Sequence, residues 1–482
     1  MSARESTISL KNAKVALKKL VTEPIRKPES PIALLSKLSP KQWVVFTAAF
    51  LGWALDAMDY FLLTLAVSDI SKEFGTSDSA VTSAITLTLL LRPVGALIFG
   101  LAGDKWGRRY PLMINVIMYS ILELATGFCP NFASFLVVRS LFGIAMGGEW
   151  GLGASLAMEA IPAECRGLFS GILQQGYATG NLISSGLFSL VYMYYPSNWR
   201  ALFYIGCFPA VLIIVIRFLV PESEAYQNQE KRRAATHSNF LADLGITMKL
   251  YWPRAIYCIL LMTFFNFFSH GSQDLFPTYI TKQLGYSSSD KAATVAISST
   301  GAIIGGTLIG FLGQYFGRRR AIIFSAFCAG VLIYPWAFSS SKAGIQGAGF
   351  AMQFFVQGAW GCVPSYLTEI SPPSIRATFP GLMYNTGNMI SAASAQIEAA
   401  IADNYPTRDY KGGSVPNYAL TQAIFIAFTV VALIVTISIG VEDRDANLVT
   451  GDVQVADISE DGTDTKENLM LEEGNGAVEE NK

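Results

Sequence analysis

Thirteen consecutive residues, Asn266-Phe-Phe-Ser-His270-Gly-Ser-Gln273-Asp274-Leu-Phe-Pro-Thr278, carry the chain's sharpest chemistry. On a helix, positions 266, 270, 273, 274 and 278 share one face, and the opposite face is rich in phenylalanine. His270 and Asp274, four apart, reach each other directly or through a water. Imidazole changes charge near pH ~6.5. Beside a carboxylate it shares one titration with its neighbour, so neither group alone is the carrier. Such a pair suits the uptake and release of a proton. Asn266, Gln273 and Thr278 add neutral hydrogen-bonding groups. Gly271 and Pro277 mark a helix that bends or breaks around the pair.

A fixed cation, Arg92, stands in Leu-Leu-Leu-Arg92-Pro-Val-Gly95. Guanidinium stays charged and grips a carboxylate with two parallel hydrogen bonds. The structural alternative is a pair with Asp56, Asp59 or Glu123. Asp56 and Asp59, one turn apart, can attract a counter-cation, assist a proton or pair with Arg92, and the sequence leaves all three open. Arg139 heads an Arg-x-x-x-Gly-x-x-x-Gly pattern whose Gly143, Gly147 and Gly151 form a small-residue face for close helix approach. It reads as architectural, with Glu149 as a neighbour or a secondary proton site. Asn385 and Asn388 present two amides on one face. Gln174, Gln175 and Asn181 are their counterparts in the first half of the chain. Glu398 falls toward the outer end of its apolar run, away from the coupling groups. The six cysteines show neither paired nor metal-like spacing. No metal is expected, and no cofactor beyond a proton as coupling ion.

The elements that hold these groups are apolar throughout. The 482 residues are 51% hydrophobic and 15% charged, against about 25% charge in soluble domains. A membrane-crossing helix takes roughly 20 apolar residues. Runs of that kind lie near 43–67, 80–102, 112–128, 132–157, 168–192, 199–219, 254–280, 292–313, 321–338, 344–367, 378–401 and 418–440. A soluble enzyme, a nucleic-acid binder and a disulfide scaffold are excluded. The expectation is an all-α polytopic membrane protein of 12 transmembrane helices in two six-helix bundles, 43–220 and 254–440. Around them lie a basic N-terminal tail (1–42), a central loop (221–253) and an acidic, unfolded tail (441–482) with 13 acids and 3 bases. Lys and Arg crowd the loops on one side, which makes both termini cytosolic. Residues 8–21 read as a basic amphipathic helix for an anionic leaflet or as disorder. The N-terminus carries no cleavable signal, so the first span directs insertion. Ionisable groups within spans cost on the order of 3 kcal/mol each at the centre, which makes those above functional candidates.

The halves repeat. Gly100-Leu-Ala-Gly-Asp104-Lys-Trp-Gly107-Arg108-Arg109 aligns at an offset of 210 with Gly310-Phe-Leu-Gly-Gln314-Tyr-Phe-Gly317-Arg318-Arg319. The same offset carries Glu159 and Arg166 onto Glu369 and Arg376, and Ser155 onto Ser365. Duplicated bundles with a site between them are a known transporter solution. The 100–109 segment resembles the loop signature of the major facilitator superfamily. Pro162-Ala-Glu164-Cys-Arg166-Gly167 and Pro221-Glu222-Ser223 resemble its sugar-porter-like branch. The resemblance implies that Asp104, Arg108 and Arg109 form a gating clamp. Gln314 replaces the acid in the second copy, which implies a weaker clamp there.

The 266–278 stretch resembles the Asn-x-x-Ser/Thr-His-x-x-Gln-Asp-x-x-x-Thr signature of the fungal Jen family of carboxylate–proton symporters. That resemblance implies proton-coupled uptake of short carboxylic acids at the plasma membrane, with His270 and Asp274 handling the proton. It implies an anion docked on Arg92, Asn385 and Asn388, lined by Asn266 and Gln273. The secondary candidates are Asp56, Asp59, Glu149, Gln174, Asn181 and Thr278. Tyr384-Asn385-Thr386-Gly387-Asn388 is similar to the corresponding Jen segment, but residue 385 is Asn where lactate permeases tend to have Gln. The site is then slightly wider and open to succinate or malate. The expected partners are a small carboxylate anion, a proton and the lipid bilayer, with no nucleic acid. Two rivals stand: a sugar or polyol porter, and a nutrient receptor that moves nothing. The sugar porter does not account for Arg92 or the His-x-x-Gln-Asp pattern, and the roughly 40 residues after the last span are short for a receptor, which relies on long cytosolic extensions.

Overall fold

The structure, a computed structural model, describes residues 10–448 apart from 196–197, 209–215, 217, 219, 237–238, 409 and 445. The described residues are almost entirely helical, with one short hairpin pairing Pro406–Arg408 with Ser414–Pro416. Among them, eight helical stretches are long and apolar enough to cross a membrane. The other expected spans are interrupted or fall partly outside the described residues. The sixth begins at Trp199–Gly206, and much of 209–219 is not described.

The interruptions cluster at the same depth as the polar groups. The fourth span runs as Phe132–Gly147 and Glu149–Ala160, and the fifth as Arg166–Gln174 and Gly176–Tyr194. The tenth is Lys342–Gly361 with Val363–Glu369, and the eleventh Thr378–Ser391 with Ser394–Asn404. The seventh helix, Phe240–Gln273, breaks at Asp274–Leu275, then continues through Phe276–Thr278 into a wide turn over Tyr279–Gln283. A broken ladder frees backbone groups and redirects side chains, and inside a membrane it is tolerated only against protein or a cavity.

Each half has its own core. Met58, Leu62, Tyr119, Phe142 and Trp199 pack within the first. Leu261, Phe265, Met352, Trp336 and Ile426 pack within the second. Within and between the halves, small residues let backbones touch. Gly143 and Gly147 of the fourth span lie against the second span (Asp78–Trp106), where a Cβ would overlap the carbonyl oxygens of Thr88 and Arg92. Gly151 meets Gly381 of the eleventh span, and Gly171 of the fifth meets Gly310 of the eighth (Ser288–Phe316). The small-residue stripe read from the sequence therefore serves helix approach both within and across bundles.

Two boundaries differ from expectation. Residues 240–253, assigned to the central loop, are the opening turns of the seventh helix, about half of them exposed. The loop proper holds a helix, Glu224–Thr236. Residues 441–444 and 446–448, assigned to the unfolded tail, are packed in part. Arg444 donates to the Tyr315 and Pro24 carbonyls at 3.0 and 3.3 Å, and Leu448 is fully buried. Residues 449–482 lie outside the described residues. The N-terminal helix Leu10–Thr22 forms as the amphipathic pattern suggested, and it also docks, accepting from Arg319 at the Ala16 carbonyl (3.1 Å).

Candidate functional site

The site is built around the end that carries the two signature loops, which is shut. Gly107 and Gly317 take positive φ (92° and 104°), which ends the second and eighth helices and is strained for any other residue. Glu222 accepts from the Arg108 and Arg109 backbone N–H groups at 2.8 and 3.2 Å, capping the third span, Arg109–Gly127. Glu442 caps Arg318 and Arg319 of the ninth span (Arg318–Phe338) in the same way. Asp104 crosses between the bundles. Its carboxylate accepts from the Ala377 and Thr378 N–H groups (both 2.9 Å) and the Thr378 hydroxyl (2.6 Å). Arg108 pairs with Glu159 at 3.1 Å and Asp104 at 3.5 Å. Arg318 pairs with Glu369 at 3.0 Å. Arg109 departs from the clamp, donating instead to the Phe218 carbonyl (2.7 Å). Ser155 donates to the Arg376 carbonyl, and Ser170 to that of Gly361, each at 2.7 Å.

Above this seal lies a central cavity of about 40 Å³, between the bundles. Arg92 and Asp56 form one wall, and Asn266, His270 and Asn388 the other. It leads into a space of about 710 Å³ toward the far end, sharing Tyr60, Leu89, Gln174, Tyr177, His270 and Gln357 with it. The central cavity has room for roughly three waters, so a bound carboxylate must displace them and spread the walls.

His270 and Asp274 meet as their spacing required, with Nδ1 3.1 Å from Asp274 Oδ2. The far nitrogen, Nε2, lies 3.3 Å from Asn388 Oδ1. The amide oxygen can only accept, so Nε2 carries a hydrogen, and the imidazole is flanked by acceptors on both sides. The Asp274 side chain is 38% exposed, facing the larger space. The break just after Gln273 gives it that exposure and turns Thr278 away. Thr278 lies beyond the break and lines neither cavity.

Arg92 is 5% exposed and loosely held. Its nearest carboxylate oxygen, Asp56 Oδ2, is 3.9 Å from Nη2, which also touches the Met146 sulfur at 3.1 Å. Nε has no hydrogen-bond partner among the described residues. The Tyr60 ring lies 5.8 Å from the guanidinium carbon. Asp56 joins the cavity wall, whereas Asp59 is directed into the N-terminal bundle, in the electrostatic reach of Glu123 and Arg139, themselves paired at 2.9 Å. Arg139 is thus paired inside the N-terminal bundle and lines neither space. Glu149 is buried close enough to Asp56 for their charges to interact.

The two amides separate. Asn388 lines the cavity, but Asn385 lines neither space. Its Nδ2 donates to the Gly147 carbonyl of the other bundle (3.1 Å) and to Gly381 (2.8 Å), which makes it a tether across the interface. Gln273 bonds to Gln353 at 2.9 Å, and Gln174 and Asn181 line the larger space. The sequence reading missed the aromatic floor: Tyr384 stacks on Trp150 at 4.5 Å and meets Trp53 and Trp360 edge-on. It also missed Gln353 and Gln357, whose signal was two amides one turn apart in an otherwise apolar run.

A two-bundle helical protein with a polar cavity between its halves and a sealed loop end has the architecture of a membrane transporter. Residues 49–395 and 259–451 match the Major Facilitator Superfamily. The chain is 32% identical over 414 residues to the carboxylic acid transporter protein homolog of Saccharomyces cerevisiae, covering 82% of this chain and 67% of that one. It is 26% identical to the cis,cis-muconate transport protein of Acinetobacter baylyi (74% and 87% covered). The solved proton:xylose symporter XylE superposes with a TM-score of 0.62 at 17% identity, covering 81% and 94%, a likeness of fold alone. The chain belongs to the Major Facilitator Superfamily. It is a multi-pass membrane transporter and not an enzyme.

Proposed function

We propose that this transporter imports short-chain carboxylates together with protons, by alternating access. Lactate, pyruvate and acetate are the leading substrates, and succinate or malate are within its range. The observation that carries the reading is Arg92, a buried guanidinium on the cavity wall with donors to spare, facing His270 across the space. A neutral sugar gives no return for a permanent cation there, whereas a carboxylate completes its hydrogen bonds. The yeast and Acinetobacter relatives, named for carboxylic acid and cis,cis-muconate transport, support the same substrate class.

Mechanistically, the anion enters from the far end, which we assign to the cell exterior, and docks on Arg92 beside Asn388 and Asn266. Protonation of the His270–Asp274 pair leaves a neutral cation–anion contact, which lets the loaded bundles reorient around the site. Closure of the far end then breaks the Asp104–Thr378 and Ser155–Arg376 contacts and opens the loop end, which we assign to the cytosol. A monocarboxylate moving with one proton is electroneutral, so it draws only on the pH gradient, about 1.4 kcal/mol per unit. The plasma membrane is the proposed location.

Uptake of labelled lactate and succinate near pH ~5 and ~7.5, spanning the imidazole range, tests the reading in cells lacking their own carriers. Acid-favoured uptake that His270→Ala abolishes or uncouples is expected. Surface expression without uptake of either acid overturns the carboxylate assignment.

A further inference from the structure

Glu398 lies in the outer segment of the eleventh span, with its side chain fully buried. Neither carboxylate oxygen has a hydrogen-bond partner among the described residues. Room for it is made by Gly271, the residue after His270: a Cβ there would stand 3.0 Å from Glu398 Oε1 and 2.5 Å from the Phe425 ring. The facing span, Tyr418–Ser438, contains no acidic, basic or histidine residue. From the seventh span, the charged group that acts on Glu398 is Asp274, itself bonded to His270. An ionised carboxylate without a partner costs several kcal/mol in such surroundings. Burial without a partner favours the neutral carboxyl at Glu398, whereas the Asp274 side chain is 38% exposed.

The eleventh span thus approaches the His270–Asp274 pair from both sides of its own break at Ala392–Ala393. Asn388 from the inner segment holds His270 Nε2, and Glu398 from the outer segment lies behind Asp274. The seventh span breaks there as well, at Asp274–Leu275. Two facing breaks are the places where these helices can bend when the far end closes, and bending there changes the distance between the two carboxyls.

We propose that Glu398 is a second proton-binding site, loaded while the far end is open and passing its proton to Asp274 as that end closes. The transfer breaks one O–H bond on Glu398 and forms one on Asp274, from which the proton leaves to water when the loop end opens. This rests on the reading of the site as proton-coupled; the Glu398 proton travels in addition to the one on the His270–Asp274 pair, so a monocarboxylate then moves with two protons and one net positive charge.

Glu398→Gln keeps the shape and the neutral state but cannot release a proton. Two measurements decide the matter. In cells or vesicles, the proton-to-carboxylate ratio should fall by one in Glu398→Gln, with uptake retained; an unchanged ratio overturns the proposal. In purified protein, infrared difference spectra across a pH titration should show a protonated-carboxyl band that Glu398→Gln removes and Asp274→Asn shifts. A band that persists in Glu398→Gln, or that ignores both pH and Asp274→Asn, overturns it. The infrared measurement needs no substrate, so failure of carboxylate uptake would overturn the carboxylate reading while leaving Glu398 decided on its own.

Discussion

Gln314 Oε1 accepts from the backbone N–H of Gly167 at 3.1 Å, bonding to the start of the fifth span as Asp104 bonds to the start of the eleventh. The pseudo-symmetric clamp is therefore complete in both halves, but one half is charged and the other neutral. Asp104 accepts three bonds, and a carboxylate at a helix N-terminus gains from the aligned peptide dipoles. Gln314 supplies one, while its oxygen also accepts from Arg318 at 2.5 Å.

Asp104→Asn should weaken the closed loop end by about 2 kcal/mol, since hydrogen bonds to a charged group contribute roughly 1.5–3. Cysteine labelling from the loop side, at a buried position of the seal such as Leu152, should rise more than tenfold. Gln314→Glu should act in the opposite direction, because Arg318 then faces a full charge. Equal labelling in all three proteins would remove the clamp from the gating scheme.

Arg92→Gln should raise the KM for carboxylate at least tenfold, with surface level intact. Arg92→Lys should recover part of that loss, because an ammonium restores the charge but not the two-pronged geometry. If Arg92→Gln transports with an unaltered KM, the guanidinium serves packing against Met146 and Asp56 only.

His270 is flanked by Asp274 and Asn388, so the charged imidazolium is satisfied on both nitrogens while the neutral ring is satisfied on one. Uptake should rise as external pH falls through the imidazole range near ~6.5. Asn388→Leu removes one acceptor of the charged ring, so its uptake profile should move to lower pH. A profile superimposable on wild type would separate Asn388 from proton handling.

Gly107→Ala places a Cβ on a backbone of φ 92° and against the Glu222 carboxylate. The conformational cost alone is about 1–2 kcal/mol. Folded yield should drop, and Gly107→Asn should not recover it, because a ψ of 161° lies outside the left-handed helical region that asparagine tolerates. Indistinguishable yields for wild type and the alanine variant would argue that this turn is not strained.

The hydropathy runs, the 210-residue repeat and the 3.6-residue stripe through Asn266, His270 and Asp274 are local properties of the chain. They determined the helical bundles, the duplicated loops and the His–Asp contact, because membrane burial and helical geometry act on short segments wherever they lie. Tertiary structure decided the rest. A break after Gln273 aimed Asp274 at water and took Thr278 off the stripe. A backbone crossing at Gly147 took Asn385 as a tether and left Asn388 facing His270. Asp56 and Asp59, one turn apart, went to the cavity and to the bundle interior. Glu398 came to rest behind a glycine 127 positions earlier in the chain. Each of these outcomes depends on which helix faces which, and a helix break or a glycine contact rotates side chains by amounts that no spacing along one segment encodes.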